Sequence, residues 1–139
     1  RSWVTLRRAA NACAEALASE LVDAGLTESQ FGVLEALKHL GPLHPCDLAA
    51  KILRTTGNLT LVLDQLERRG LLRRERSASD RRYVTVHLTE AGATLIGELF
   101  PRHARRVAEL SSVFSPEACR QFGDACRTLG LHAAAHVRS

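Results

Sequence analysis

The segment from Leu53 to Leu88 carries two kinds of side chain whose chemistry suits contact with a nucleic acid. Small hydrogen-bonding groups come first, just after Arg54, at Thr55, Thr56, Asn58, Thr60 and Gln65. Arginines follow, at Arg73, Arg74, Arg76, Arg81 and Arg82. Small polar groups can read base edges in a major groove, and guanidinium groups neutralise phosphates or enter a minor groove. Both sets are therefore candidate DNA contacts.

The positive charge of the chain is concentrated in this segment. Nine basic and four acidic residues lie between Lys51 and Arg82, which gives a net charge of +5. The whole chain has 19 basic and 15 acidic residues, or +4, so the remainder sums to −1. A local surplus of this kind is typical of an electrostatic footprint for nucleic acid, although a solvated charged hairpin has the same composition.

Two kinds of periodicity position these side chains. Apolar residues recur at helical spacing at Leu59, Val62, Leu63 and Leu66, and Gly70 stands where a helix would end. The period then changes to that of two short strands, at Leu71, Leu72, Tyr83, Val84, Val86 and Leu88. A polar tip, Ser77 to Asp80, separates the strands. The pattern predicts a helix followed by a β-wing.

Two shorter helices are expected before this one. The first spans Leu26 to Leu40, because Thr27 and Gln30 form a capping-box pattern. The second spans Pro45 to Leu53, with proline at its first helical position. The Pro45 to Leu53 helix and the helix that contains Leu59 to Leu66 are joined by the polar turn Arg54 to Gly57. This arrangement indicates a helix-turn-helix, in which the second helix lies in the groove of the DNA.

Long amphipathic helices are expected at both ends of the chain. One covers Ser2 to Ala24; after the wing, Thr89 caps another in which Pro101 predicts a kink rather than an end. Ser115 caps a last helix that reaches about His136. Their apolar stripes predict a dimerisation layer formed by Trp3, Leu6, Cys13, Leu17, Phe122, Cys126 and Leu129.

The expected fold is mainly α-helical with a small β-wing, a winged helix-turn-helix domain with terminal dimerisation helices. We expect an N-terminal dimerisation helix over residues 1–24, the DNA-binding domain over 25–90 and helices completing the dimerisation layer over 91–139. No apolar run approaches the roughly 20 residues that span a bilayer, and a signal-peptide core is lacking. We therefore expect a cytoplasmic protein without a membrane partner.

Six short motifs follow one another in order along the chain. They are Leu26-Thr27-x-x-Gln30-Phe31, Leu48-Ala49, Thr56-Gly57-Asn58-Leu59-Thr60, Leu66-Glu67-Arg68-Arg69-Gly70-Leu71, Asp80-Arg81-Arg82 and Leu88-Thr89-x-x-Gly92. In this order and spacing they resemble the MarR (multiple-antibiotic-resistance regulator) family of bacterial winged helix-turn-helix transcription factors. The resemblance covers nearly the whole chain.

The resemblance implies a homodimer that binds a pseudo-palindromic operator on double-stranded DNA, usually as a repressor. In such families small aromatic ligands, metals or oxidants commonly release the DNA. The family's Asp-x-Arg wing pattern maps onto Asp80 and Arg82, which implies an arginine in the minor groove and an aspartate that holds the basic side chains of the wing. Arg81, between them, is then a phosphate contact.

One departure from the family pattern lies at the third helix, where His44, Pro45 and Cys46 replace the usual Ser or Thr cap. Cys46 would sit in a first helical turn, where the helix dipole can lower a thiol pKa, so a redox sensor that uses Cys46 or Cys13 is an alternative. The paired tyrosines of peroxide-sensing relatives are absent, since Tyr83 is the only tyrosine. An inert residue is the simpler interpretation.

Other chemistry has little support in the sequence. His132 and His136 lie four residues apart on a helix, but no third metal ligand can be named. We find no phosphate-cradling glycine loop and no nucleophile motif, so we expect no cofactor, no metal and no enzyme activity. A winged helix that binds protein or RNA, an activator and a ligand-blind regulator stay open.

An effector pocket is expected between the dimerisation layer and the winged module. The helix faces place Leu6, Phe31, Leu34, Leu99 and Arg102 around it. A small aromatic effector is the expected ligand.

Overall fold

The computed structural model describes residues 1–52 and 56–138, which form six helices and one two-stranded antiparallel sheet. The elements in chain order are α1 (Ser2–Asp23), α2 (Glu28–Leu40), α3 (Pro45–Lys51), α4 (Thr56–Arg68), β1 (Leu72–Arg76), β2 (Val84–Leu88), α5 (Glu90–Ser111) and α6 (Pro116–Arg138). This order confirms the predicted mainly helical fold with a β-wing. Among the described residues no helix combines the length and the apolar character needed to cross a membrane.

Helix α2 begins at the predicted capping box. The Thr27 hydroxyl accepts a hydrogen bond from the Gln30 N–H at 3.1 Å, and the Gln30 side chain accepts one from the Thr27 N–H at 3.0 Å. Leu26 and Phe31, which flank the cap, are both buried in the core. Two N-terminal donors are thereby satisfied, and the entry of the chain into α2 is fixed.

Histidine replaces the usual hydroxyl cap at α3. The His44 Nδ1 accepts a hydrogen bond from the Cys46 N–H at 3.1 Å, and Pro45 follows at the first helical position. The predicted start of this helix is confirmed. The helix ends at Lys51, and Leu53, its predicted last residue, lies outside the described residues.

Two glycines fix how α4 joins the wing and α5. Gly70 has φ +72°, and the Leu71 N–H donates to the Leu66 carbonyl at 3.0 Å, which ends α4 in a Schellman turn. At Gly92, in the first turn of α5, an added Cβ would lie 1.9 Å from the Leu71 carbonyl oxygen. Only glycine allows this approach, so α5 starts directly against the end of α4.

The core lies between α2, α3, α4, α5 and the root of the wing. Its largest fully buried side chains are Val33, Leu34, Leu48, Leu59, Leu63, Leu66, Leu72, Val86, Ile96 and Leu99. Helix α1 contributes Leu21 to this core, and none of the described residues of α6 is buried in it. Helix α5 continues through Pro101, and the Ser115 hydroxyl accepts from the Ala118 N–H at 3.2 Å to cap α6. Both features follow the sequence pattern.

The capping box provides a direct test of this architecture. Replacing Thr27 by alanine removes the acceptor for the Gln30 N–H, and we expect the free energy of unfolding in urea to fall by about 1 kcal/mol. Thr27→Ser keeps the acceptor and serves as the control. Equal stability of the alanine and serine variants would contradict the role given to this cap.

Candidate nucleic-acid interface

Helix α4 has one buried face and one exposed face. Leu59, Leu63 and Leu66 are almost fully buried, whereas Asn58 and Thr60 lie on the exposed face together with Leu61. Leu59 is part of the core, whereas Leu61 is exposed and can therefore reach a thymine methyl group. Helix α4 therefore presents a small polar and apolar surface to solvent.

The DNA contacts predicted before Asn58 are Arg54, Thr55 and Thr56. Arg54, Thr55 and the side chain of Thr56 lie outside the described part of the chain. Gln65 is described, and its Oε1 accepts a hydrogen bond from the Gln30 Nε2 at 3.0 Å. This contact ties Gln65 to the cap of α2, so the structure separates it from Asn58 and Thr60 on the exposed face.

The wing is a regular hairpin with a third, short extended partner. Leu72 pairs with Leu88, Arg74 with Val86 and Arg76 with Val84. On the other side of β2, Leu43 exchanges two backbone hydrogen bonds with Val86, at 2.8 and 3.2 Å. The sequence did not predict this bridge, which joins the α2–α3 turn to the wing.

The predicted Asp80–Arg82 pair meets at the wing tip. The Asp80 Oδ1 accepts from the Arg82 N–H at 3.0 Å and from the Arg82 Nε at 3.3 Å, although 93% of the Arg82 side chain stays exposed. The Arg76 Nη1 donates to the Arg81 carbonyl at 2.7 Å. These bonds orient the tip while leaving the Arg82 guanidinium accessible.

Arg73 and Arg74 have carboxylate partners within the chain. Arg73 pairs with Glu75 at 2.6 Å on an exposed side of β1. Arg74 lies between two carboxylates of α4, with its Nη2 2.6 Å from the Asp64 Oδ1 and 2.9 Å from the Glu67 Oε1. The hydrogen bond that the Arg74 guanidinium donates to the Glu67 carboxylate lowers the pKa of Glu67 and raises the pKa of Arg74.

Sequence reasoning included Arg74 among the DNA contacts and missed its partners. Asp64 and Glu67 lie three residues apart on α4, so both project from the same side near its end. A carboxylate pair of this spacing, followed by a turn and a strand that contains arginine, could have predicted these ion pairs. Net charge counts alone could not distinguish a neutralised arginine from an accessible one.

A cavity of about 1320 Å³ opens between the terminal helices and the winged module. Its apolar wall includes Leu17, Leu21 and Phe31. Its ionisable lining residues include Glu15, Glu28, Glu35, Lys51, His103 and Arg127. Of the five predicted pocket residues only Phe31 lines it. Leu34 and Leu99 are buried in the core, and Leu6 and Arg102 do not border the cavity.

The predicted dimerisation residues lie largely uncovered in the single chain. Trp3 is 64% exposed, Phe122 54% and Leu129 46%; Cys13 is exposed, and Leu6, Leu17 and Cys126 are half-buried. Phe114 stacks against Phe122 with ring centroids 5.9 Å apart. The apolar stripe on α6 predicted that its side chains are buried. Within the single chain they stay exposed or half-buried.

The cysteines and histidines form no larger cluster among the described residues. Cys13 and Cys46 are exposed on different helices, and both are free thiols. The His132 and His136 rings lie 4.4 Å apart, but no group of three metal-ligating side chains is found within residues 1–52 and 56–138.

A helix-turn-helix with an exposed α4 face and an arginine-tipped hairpin defines the class of winged helix-turn-helix DNA-binding proteins. A sequence model of the MarR family matches residues 26–84. The chain is also similar to the HTH-type transcriptional regulator MhqR of Bacillus subtilis (strain 168), with 34% identity over 131 residues, which is 94% of this chain and 90% of MhqR. The chain belongs to the MarR family of DNA-binding transcriptional regulators.

Solved structures of similar proteins support the same assignment. NadR in complex with 4-hydroxyphenylacetate has a TM-score of 0.80 and 27% identity, over 91% of this chain and 90% of NadR. BpsR of Bordetella bronchiseptica, whose DNA binding is regulated by 6-hydroxynicotinic acid, has a TM-score of 0.81 and 26% identity, over 92% of this chain and 97% of BpsR. The terminal helices are therefore part of the shared fold.

The exposed Arg82 predicts a measurable electrostatic contribution. Arg82→Ala should weaken binding to duplex DNA and reduce the slope of log affinity against log salt by about 0.9 per bound chain, because one cation no longer displaces counterions. Arg120→Ala, which removes an arginine paired with Glu117 on α6, is the control. An unchanged slope for Arg82→Ala would refute the wing contact.

Proposed function

We propose that the chain acts as a homodimeric repressor that binds a pseudo-palindromic operator and is released by a small aromatic acid. One observation carries this proposal: the same chain exposes a polar α4 face beside an arginine-tipped wing, and leaves apolar faces of α1 and α6 uncovered. The first surface suits a duplex and the second suits another copy of the chain.

The uncovered apolar faces support the homodimer. Phe122, Cys126 and Leu129 recur at helical spacing along one side of α6, and two of them are about half exposed. Apolar area gains roughly 25 cal/mol per Å² when it leaves water. A second copy offers a self-complementary apolar face, as expected for a two-fold interface.

A two-fold arrangement also accounts for recognition of a palindrome. Each copy would place Asn58, Thr60 and Leu61 in a major groove and Arg82 in the neighbouring minor groove. Two such units, about one helical turn apart, require inverted half-sites with matching spacing. An operator occupied in this way would exclude the polymerase, which is the basis for proposing repression.

The dimer proposal predicts the effect of charge on the α6 stripe. Phe122→Arg should convert the protein to monomers in sedimentation equilibrium and reduce operator affinity, because burying an unpaired guanidinium is costly. Asp124→Arg adds the same side chain to the opposite side of α6 and is the control. A monomeric unmodified chain, or a fully dimeric Phe122→Arg variant, would contradict the proposal.

The cavity supports an aromatic acid as the effector. Its apolar wall at Leu17, Leu21 and Phe31 suits a ring. Of its charged lining residues, Lys51 and Arg127 can pair with a carboxylate, and Glu15, Glu28 and Glu35 can accept from a ring hydroxyl. NadR and BpsR are described with 4-hydroxyphenylacetate and 6-hydroxynicotinic acid, both aromatic acids. We propose the same chemical class for this chain.

A thermal-shift titration with these two acids tests the effector class. At a concentration 100 times the dissociation constant, binding should stabilise the folded chain by about 2.7 kcal/mol and raise its melting temperature. Ala18→Phe, which fills the cavity wall, should abolish the shift, whereas Ser19→Phe on the exposed side of α1 should preserve it. No shift with either acid would refute this class of effector.

The redox alternative has less support. Cys13 and Cys46 lie apart on exposed surfaces of α1 and α3, and neither borders the cavity. Membership of a family of DNA-binding regulators also disfavours the protein-binding and RNA-binding alternatives.

A further inference from the structure

Helix α4 and the wing are joined by an ion-pair cluster that we call the α4–wing clamp, formed by Asp64, Glu67 and Arg74. The Arg74 side chain is only 30% exposed, and its guanidinium donates to both carboxylates. Its Nε also lies 3.2 Å from the Glu67 Oε1. Both carboxylates come from the helix that faces the DNA, whereas the arginine comes from the first strand of the wing.

The clamp also holds the backbone of β1. The Arg74 N–H donates to the Glu67 Oε2 at 2.8 Å. Since Val86 uses its own N–H and carbonyl to pair with Leu43, the Arg74–Val86 pair is not hydrogen-bonded, and the Arg74 N–H points to the free edge of the sheet. Glu67 thus satisfies an edge-strand donor as well as the guanidinium.

The charges within the clamp oppose a direct role of Arg74 in DNA binding. Two carboxylates surround one guanidinium, so their sum is −1, and a phosphate approaching Arg74 would meet both of them. Arg82 differs, because its guanidinium is almost fully exposed and touches one carboxylate at 3.3 Å.

From this geometry we infer that Arg74 is a positioning residue, which sets the distance and angle between α4 and the wing tip and does not contact DNA. The inference rests on the proposed DNA contacts of Arg82. It extends them by naming the residues that align the α4 face with the wing. Arg74 then acts through Arg82, and its effect on affinity disappears when Arg82 is absent.

A double-mutant cycle tests this dependence on a duplex that the unmodified chain selects from a random pool. Arg74→Met and Arg82→Ala should each lower affinity at least about fivefold. In the Arg74→Met background, Arg82→Ala should cost less than about twofold further, because the misplaced tip has already lost its contact. If the two losses of affinity multiply in the double variant, Arg74 and Arg82 contribute independently. That result would overturn the inference.

Removal of the Glu67 carboxylate should change DNA affinity in opposite directions under the two interpretations of Arg74. If Arg74 contacted phosphate, Glu67→Ala would free it and tighten DNA binding; if Arg74 positions the wing, Glu67→Ala should weaken binding about as much as Arg74→Met. Glu75→Ala removes the exposed carboxylate partner of Arg73 on the same strand and controls for the loss of negative charge. Tighter binding by Glu67→Ala than by Glu75→Ala would overturn the inference.

The conservative variant separates charge from geometry. Arg74→Lys keeps the positive charge but lacks the planar fork that reaches Asp64 and Glu67 together. We expect its affinity to lie within about twofold of that of Arg74→Met, whereas affinity equal to that of the unmodified chain would indicate a simple cationic contact.

Amide hydrogen exchange tests the α4–wing clamp in the absence of DNA. The Arg74 amide should exchange with deuterium faster in Glu67→Ala, and β1 should exchange faster in Arg74→Met, at unchanged melting temperature of the core. Unaltered exchange would overturn the clamp itself. If Arg82→Ala leaves affinity unchanged, the proposed wing contact fails; if Arg82→Ala weakens binding and Arg74→Met does not, only the positioning role fails.

Discussion

Burial of one face of α4 is the constraint on which the rest of the structure depends. Leu59, Leu63 and Leu66 pack against α2, α3 and β1, and this packing fixes the rotation of the helix about its axis. Since 3.6 residues make a turn, the side chains at Asn58, Thr60 and Leu61 must then face solvent. The same packing that stabilises the domain therefore decides which residues can meet DNA.

The wing depends on α4 in turn. The Schellman turn at Gly70 directs the chain away from α4. The close contact between Gly92 and the Leu71 carbonyl then holds the start of α5 against this turn. Leu72 and Val86 anchor the strands in the core. Helix and wing thus form one unit, whose tip carries the exposed guanidinium of Arg82, and the terminal helices hold this unit while exposing their own apolar faces.

Local patterns made most of the fold predictable from the sequence. The cap at Thr27, the stop at Gly70, the start at Pro45 and the cap at Thr89 act through neighbours a few residues away, so spacing alone identifies them. The candidate site was less predictable. Gln65 and Arg74 have side chains that could contact DNA, but both bind other residues of the chain. Gln65 binds Gln30, which is 35 residues away, and Arg74 binds carboxylates 7 and 10 residues away on α4. Only the folded chain brings these surfaces together.

The sequence by itself determined the order of the helices, the two-sided character of α4, the position of the wing and the concentration of positive charge around it. These properties depend on periodicity and composition, which are local. Only the tertiary structure decided which arginines are neutralised, that Leu43 extends the sheet, and that the cavity is lined by Leu17 and Leu21 while Leu34 and Leu99 face the core. Those outcomes depend on the relative rotation and spacing of packed elements, which residue spacing along one helix or strand does not specify.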